Sequence, residues 1–306
     1  MRALRGLALA GLCWRWWAIA AALELLLALP PALLWQDWLR GALAGRYEPG
    51  ELFANLSTSF RFDHRAGLAA LNANASLWLG FAALCAMLLG VFFAGGWAQL
   101  RFDGGDGQVL ARAGAGARRF FWRYFRVWLI TLLLLALWSW VLFEGPWKTV
   151  VLGWILRLPE SSGDRLEALT SEWSAVALRS AQALVYALGV ALLLCCADYA
   201  RLRIAWKDGR SALAGWTGAA RMLLRAPFRA LAPLAAIFVL EAAIVAAASL
   251  FARGFEGRIG LGEAGLGALG LLGATTLVLT GLRCWLRGAR YLAAGEYLRD
   301  DMQPVP

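Results

Sequence analysis

Two carboxylates stand where carboxylates are costly. Glu24 lies inside the apolar run Trp16–Trp35, and Glu241 lies inside Ala230–Ala252. An acid within a hydrocarbon-crossing helix faces a partner or a water-filled cavity, and it marks a functional site by default. Glu241 follows Arg229 by twelve residues, which at a rise of about 1.5 Å per residue predicts a place near mid-membrane. Its surroundings in sequence are wholly apolar, so the expectation is a carboxyl turned to the bundle interior in its neutral form. Such a group donates as well as accepts, and can hold a headgroup or pass a proton. Thr275, Thr276 or a backbone carbonyl are its expected partners. Glu24 precedes Pro30–Pro31, which are expected to break the first run near its outer end. Asp198, at the inner end of the fourth run, is expected to pair locally with Arg201.

Arginines form a second set. Arg112, Arg119, Arg123 and Arg126 fall on one helical stripe, with Phe120, Phe121, Tyr124 and Phe125 beside it. Arg221, Arg225 and Arg229 recur every four residues, with Leu223, Leu224 and Phe228 on the apolar side. Both stretches read as amphipathic helices in the membrane interface, with arginines toward anionic phospholipid headgroups. Pro227 then turns the chain into the next apolar run.

Little else could do chemistry. His64 is the only histidine, and no Ser/His/Asp set, phosphate-binding glycine loop, HExxH or paired carboxylates accompany it. The five cysteines show no metal-ligand spacing and none falls in an outer loop, so neither a metal site nor a disulfide is expected. The chain reads as a non-enzyme without a cofactor.

The elements that hold these residues follow from composition. The chain is 61% hydrophobic and 16% charged, against about 45–50% and 25% in soluble domains. The excess is gathered into six runs: Trp16–Trp35, Leu77–Trp97, Val127–Phe143, Ser180–Ala197, Ala230–Ala252 and Ala264–Leu282. Runs of this length span a membrane only as helices, because each must satisfy its own backbone hydrogen bonds. Of the 30 basic residues, 20 lie in the N-terminus, Arg101–Arg126, Arg201–Arg229 and the tail from Arg283, with only 7 of the 20 acidic ones when Asp198, just before Arg201, is counted. That asymmetry places both termini in the cytoplasm. It also accounts for the net charge of +10 without nucleic acid, which is not expected as a partner. Tryptophans at run ends form an interfacial belt. The N-terminus, with Arg15 interrupting its apolar start, reads as uncleaved. Two lysines against 28 arginines suggest a GC-rich bacterial coding bias, and hence the bacterial inner membrane.

The runs also repeat. "AQLRFDGGDG" (Ala98–Gly107) returns as "ARLRIAWKDG" (Ala200–Gly209), and "ARRFFWRYFR" (Ala117–Arg126) as "ARMLLRAPFR" (Ala220–Arg229). A weaker third copy is carried by "WRWW" (Trp14–Trp17) and "GARYL" (Gly288–Leu292). The expected fold is a single all-α polytopic domain over 1–306. It has six transmembrane helices arranged as three tandem helical hairpins, about 1–106, 107–209 and 210–306. Interfacial amphipathic elbow helices lie on the cytoplasmic side. Gly262, Gly265, Gly267, Gly270 and Gly273 suggest a closely packed sixth span. In the outer loop Asp37–Ser76, Leu52, Phe53 and Leu56, then Leu68 and Leu71, suggest short surface helices.

The stretch "ADYARLRIAWKDGRSALAGWTGAARMLLRAPF" (Ala197–Phe228) and the span after it resemble uncharacterised bacterial six-span membrane proteins, and the membrane domain found beside glycerophosphodiester phosphodiesterases. No phosphodiesterase catalytic domain accompanies it, so the resemblance implies the membrane plan and not that activity. A second likeness is to ABC importer permeases, whose coupling loop reads Glu-Ala-Ala, three residues, Gly. Ala212, Leu213 and Ala214 precede Gly218 with that spacing, though the glutamate is missing. The sequence thus points to a membrane-embedded binding or transport module for a lipid or small solute. The alternative is a non-catalytic scaffold or subunit of a membrane complex, including a permease-like partner of an ATPase.

Overall fold

The computed structural model describes residues 2–43, 64–103, 108–157, 171–260 and 266–302. Among them the chain is helical: α1 (Arg2–Leu12), α2 (Trp14–Leu43), α3 (Arg65–Phe102), α4 (Val109–Phe143), a π-helical turn at Trp147–Ile155, α5 (Glu172–Lys207), α6 (Ala212–Arg225), α7 (Pro227–Gly260) and α8 (Leu266–Met302). No strand occurs among the described residues. Five stretches are long and apolar enough to cross a membrane: Trp14–Ala42, Arg65–Phe102, Val109–Ile155, Trp173–Lys207 and Pro227–Gly254. The expected sixth, Ala264–Leu282, begins outside the described residues, and its remainder forms the first half of α8. Leu52, Phe53 and Leu56, with Gly262 and Gly265, lie outside them too. Leu68 and Leu71 belong to α3 instead of to a separate surface helix.

The helices outrun their apolar stretches. α3 has 38 residues and α8 has 37, about 55 Å each, where hydrocarbon is about 30 Å thick. Their two halves differ in burial. Leu77, Leu133, Leu250 and Val278 stand 62–74% exposed, as lipid-facing side chains do. Leu202, Leu286 and Leu298, beyond the apolar runs, are wholly buried. The packed core therefore draws on the arginine-bearing halves, together with residues such as Val91, Leu234 and Ile237 inside the apolar runs.

The chain divides into two compact units, Met1–Phe121 with Ala232–Pro306, and Trp122–Leu231. In the first, α1 lies against the second half of α8. A Cβ on Gly6 would stand 2.7 Å from the Ala289 carbonyl oxygen and 2.9 Å from the Ala293 methyl, so glycine lets the backbones cross. The Trp285 indole N–H donates to the Leu7 carbonyl at 3.2 Å. Gly95 of α3 meets Gly116 and Ala117 of α4 equally closely, and Trp16 of α2 packs on Phe93 with ring centroids 4.7 Å apart. In the second unit, α5 packs on α6 through Ala200, Ile204 and Gly215. The Tyr199 hydroxyl donates to the Ala230 carbonyl at 2.6 Å. Thr131, buried, donates to Val127 and accepts from the Trp216 indole.

Three local features differ from the sequence reading. Pro30 and Pro31 lie inside α2, which continues to Leu43; the two missing N–H groups are tolerated in a long helix whose other bonds hold. The two linkers take different forms. Ala117–Arg126 is part of the unbroken α4, whereas α6 is a separate helix, closed at Ala226 before Pro227 opens α7. Only the second linker carries a proline, at the first helical position where its missing N–H costs nothing. Gly270 and Gly273 have no neighbour within 4 Å of an added Cβ among the described residues.

Candidate functional site

Glu24 and Glu241 both meet arginines of α8. The Arg287 guanidinium donates to the Glu24 carboxylate at 2.8 Å. Arg283 and Arg290 approach the two oxygens of Glu241 at 3.6 and 4.0 Å. The three arginines are spaced by four and three residues, the interval that lines one helix face. Five charged groups from α2, α7 and α8 thus form one cluster, three cations against two anions, with a formal excess of +1. The buried Cys284 thiol adjoins Glu24.

The two pairs are held differently. Glu24 and Arg287 make a normal charge-assisted hydrogen bond. Arg283 and Arg290 sit beyond hydrogen-bond reach of Glu241, which ends near 3.2 Å. Arg290 is fixed on its other side by stacking over Phe238, 4.4 Å from the ring centroid. Its side chain is 15% exposed, and its buried Nε–H finds no acceptor among the described residues. Arg283 is 54% exposed.

The apolar half of α8, Leu266 to Leu282, is about 25 Å long, nearly a full hydrocarbon thickness. Arg283 is the first charge after it. Glu241 lies near the middle of the apolar stretch Pro227–Gly254 of α7, and its two oxygens lie between Arg283 and Arg290. Thr275 and Thr276 do not serve Glu241; their hydroxyls donate to Leu271 and Leu272 in their own helix.

The arginines singled out from sequence are not gathered into this cluster. Arg112 pairs with Asp103 at 3.7 Å and also donates to its carbonyl. Arg123 pairs with Asp208, the left-handed residue that closes α5, and reaches the Gly209 carbonyl at 3.4 Å. These two arginines are helix-end clamps. Arg119 lies over the Phe120 ring at 5.4 Å. Arg126, Arg221, Arg225 and Arg229 are exposed, and so are Leu224 and Phe228, while Leu223 is buried. Asp198 makes the expected ion pair with Arg201, at 3.0 Å. His64 precedes α3 with its ring edge-on to Trp38.

Sequence reasoning missed Arg283, Arg287 and Arg290, which were counted only as part of a basic tail. The signal was their spacing on one face directly after an apolar run. Among the described residues no group of acids, histidines and cysteines could hold a metal ion. An apolar groove of about 340 Å³ in the second unit, lined by Leu134, Leu137, Trp138, Val141, Leu192 and Leu193, has no charged lining.

Fold and site together define a helical protein with membrane-crossing helices and a charged cluster on its last helix. Compared with protein-family models, with characterised proteins and with solved structures, the chain matches none.

Proposed function

We propose that the chain is a multi-pass protein of the bacterial inner membrane, with cytoplasmic termini, and that it works as a membrane-embedded binding or transport module for a lipid or small solute. The observation that carries this reading is the cluster on α8. Glu241 and its two arginines are held together without hydrogen bonds. A purely structural ion pair gains most of its strength from short bonds, and this one forgoes them.

The contacts with lipid headgroups belong to the same proposal. Arg221, Arg225 and Arg229 stand exposed beside Leu224 and Phe228, which are 83% and 88% exposed. Apolar side chains that far out of the protein, next to cations, suit an anionic bilayer surface. The three-hairpin plan also has support. Gly6 and Ala10 of α1 are buried against α8. Ala113 and Ala117 are buried where α4 starts against α3, and Gly215 and Ala219 are buried where α6 meets α5. Each copy has two small residues four apart on the helix that leads into a span. The common register is 102 residues between the later two copies and 107 between the first two.

Native mass spectrometry of the full chain, released from a neutral detergent, tests the reading. A binding module retains a lipid or small-solute adduct, and Arg283→Gln with Arg290→Gln lowers its occupancy while the melting curve shows a folded chain. A bare chain in every spectrum refutes the binding function and leaves the scaffold alternative.

A further inference from the structure

Resting on that reading, we infer that Arg283 and Arg290 form a receptor for a phosphate oxyanion, and that Glu241 is its internal stand-in, displaced when the anion binds.

The argument begins with unused donors. Each guanidinium carries five N–H groups in a planar fork suited to carboxylate or phosphate oxygens. Arg287 uses its fork on Glu24. Among the described residues, Arg283 and Arg290 have no hydrogen-bond acceptor; each has only the long approach to Glu241, with the Phe238 stack in the case of Arg290. The Nε–H of Arg290 is buried and unsatisfied. A donor left that way in a finished core costs free energy comparable to a lost hydrogen bond, so the arrangement suits an acceptor that arrives from outside.

Charge and shape narrow that acceptor. The cluster of Glu24, Glu241, Arg283, Arg287 and Arg290 carries one more positive than negative charge, which favours an anion and disfavours a cation. Glu241 already shows where oxyanion oxygens go, since its two oxygens face one guanidinium each. A tetrahedral phosphate offers more oxygens over a wider span than a carboxylate, and can bond both forks at once. Access is through Arg283, which is half-exposed while Arg290 is nearly buried. A phospholipid headgroup carries such a phosphate, and Arg283 is the first charge after the apolar half of α8. The same chemistry would take a small soluble phosphate reaching the inner face.

The experiment uses the full chain, purified in neutral detergent and stripped of lipid, with two probes. Inorganic phosphate is titrated with intrinsic tryptophan fluorescence as readout. Phosphatidylglycerol is titrated against phosphatidylcholine with native mass spectrometry as readout. The decisive variant is Glu241→Gln. It removes the internal competitor and should tighten binding by roughly tenfold, the scale of one charge-assisted hydrogen bond. Arg290→Gln should weaken binding by a similar factor. Arg283→Gln, at a half-exposed position, should do the same in part, and Arg290→Lys should not restore the parent affinity. Response to phosphatidylglycerol alone assigns the receptor to a lipid headgroup; response to inorganic phosphate as well assigns it to soluble phosphates. Binding of neither probe, or weaker binding by Glu241→Gln, overturns the inference. A neutral adduct that ignores Glu241→Gln overturns it while leaving the binding module standing.

Discussion

Removing the cation from the better-bonded pair gives a quantitative test of how the cluster is built. Arg287→Gln leaves Glu24 without its 2.8 Å partner, in a place where the side chain is 26% exposed. Fully exposed pairs are worth about 0–1 kcal/mol, and breaking a fully buried one costs about 3–5 kcal/mol. A pair with a third of its surface in contact with solvent or headgroups lies between, so the expected loss is about 2 kcal/mol. Glu24→Gln should cost about half as much, because Arg287 is longer, 35% exposed, and can turn its head outward. The double variant should then be less damaged than the two losses together, by about 1 kcal/mol. In scanning fluorimetry of the detergent-solubilised chain, Arg287→Gln should lower the melting temperature by roughly 4–8 °C. Additive losses, with no coupling beyond about 0.3–0.5 kcal/mol, would show that the pair is not a unit and that the geometric reasoning about the cluster is wrong.

Further outcomes follow from other contacts. Gly6→Val drives a branched side chain into the Ala289 carbonyl, so α1 should lift from α8 and stability should fall by about 1–3 kcal/mol; hydrogen exchange in Arg2–Leu12 no faster than in the parent would contradict the crossing. The Cys13 thiol is pushed above its usual pKa by burial, with Arg112 pulling the other way. In a chain with the other cysteines replaced, its alkylation should therefore stay slow at neutral pH and rise only as the pH passes the ordinary thiol range. Arg112→Gln should move that rise further up, and a shift down would contradict the electrostatics. Nitroxides at Leu224 and Phe228 should be relaxed by oxygen more than by a water-soluble nickel chelate; the reverse would place that surface in water. A cysteine at Ser211 should resist an impermeant label added outside sealed cells, and reaction there would invert the proposed orientation.

The sequence was informative where lipid does the selecting and less so where protein packs on protein. An unbroken apolar run has one solution in hydrocarbon, so the helices around Leu77–Trp97 or Val127–Phe143 could be read directly. Their packed halves could not. "LRGARYLAAGEYL" mixes alanine, glycine, tyrosine and arginine, which reads as a polar tail, yet Leu286, Ala289 and Leu298 in it are wholly buried. The partner of Glu241 was hidden for the same reason. Arg283 and Arg290 are more than 40 residues away in sequence and were absorbed into an orientation signal, while the nearby threonines satisfied themselves within their own helix. Asp198 was legible because its partner is three residues away. The linkers misled because amphipathic spacing alone does not say whether a helix bends; Pro227 ends α6 at Ala226, and nothing comparable interrupts α4.

The most direct test of the account is an experimental structure of the full chain in nanodiscs containing phosphatidylglycerol, read at Arg283, Arg290 and Glu241. The account predicts non-protein density within hydrogen-bond distance of both guanidinium groups, with the Glu241 side chain turned away from them. Arginines bonded directly to Glu241 at about 2.8 Å, with no density between or beside them, would contradict it.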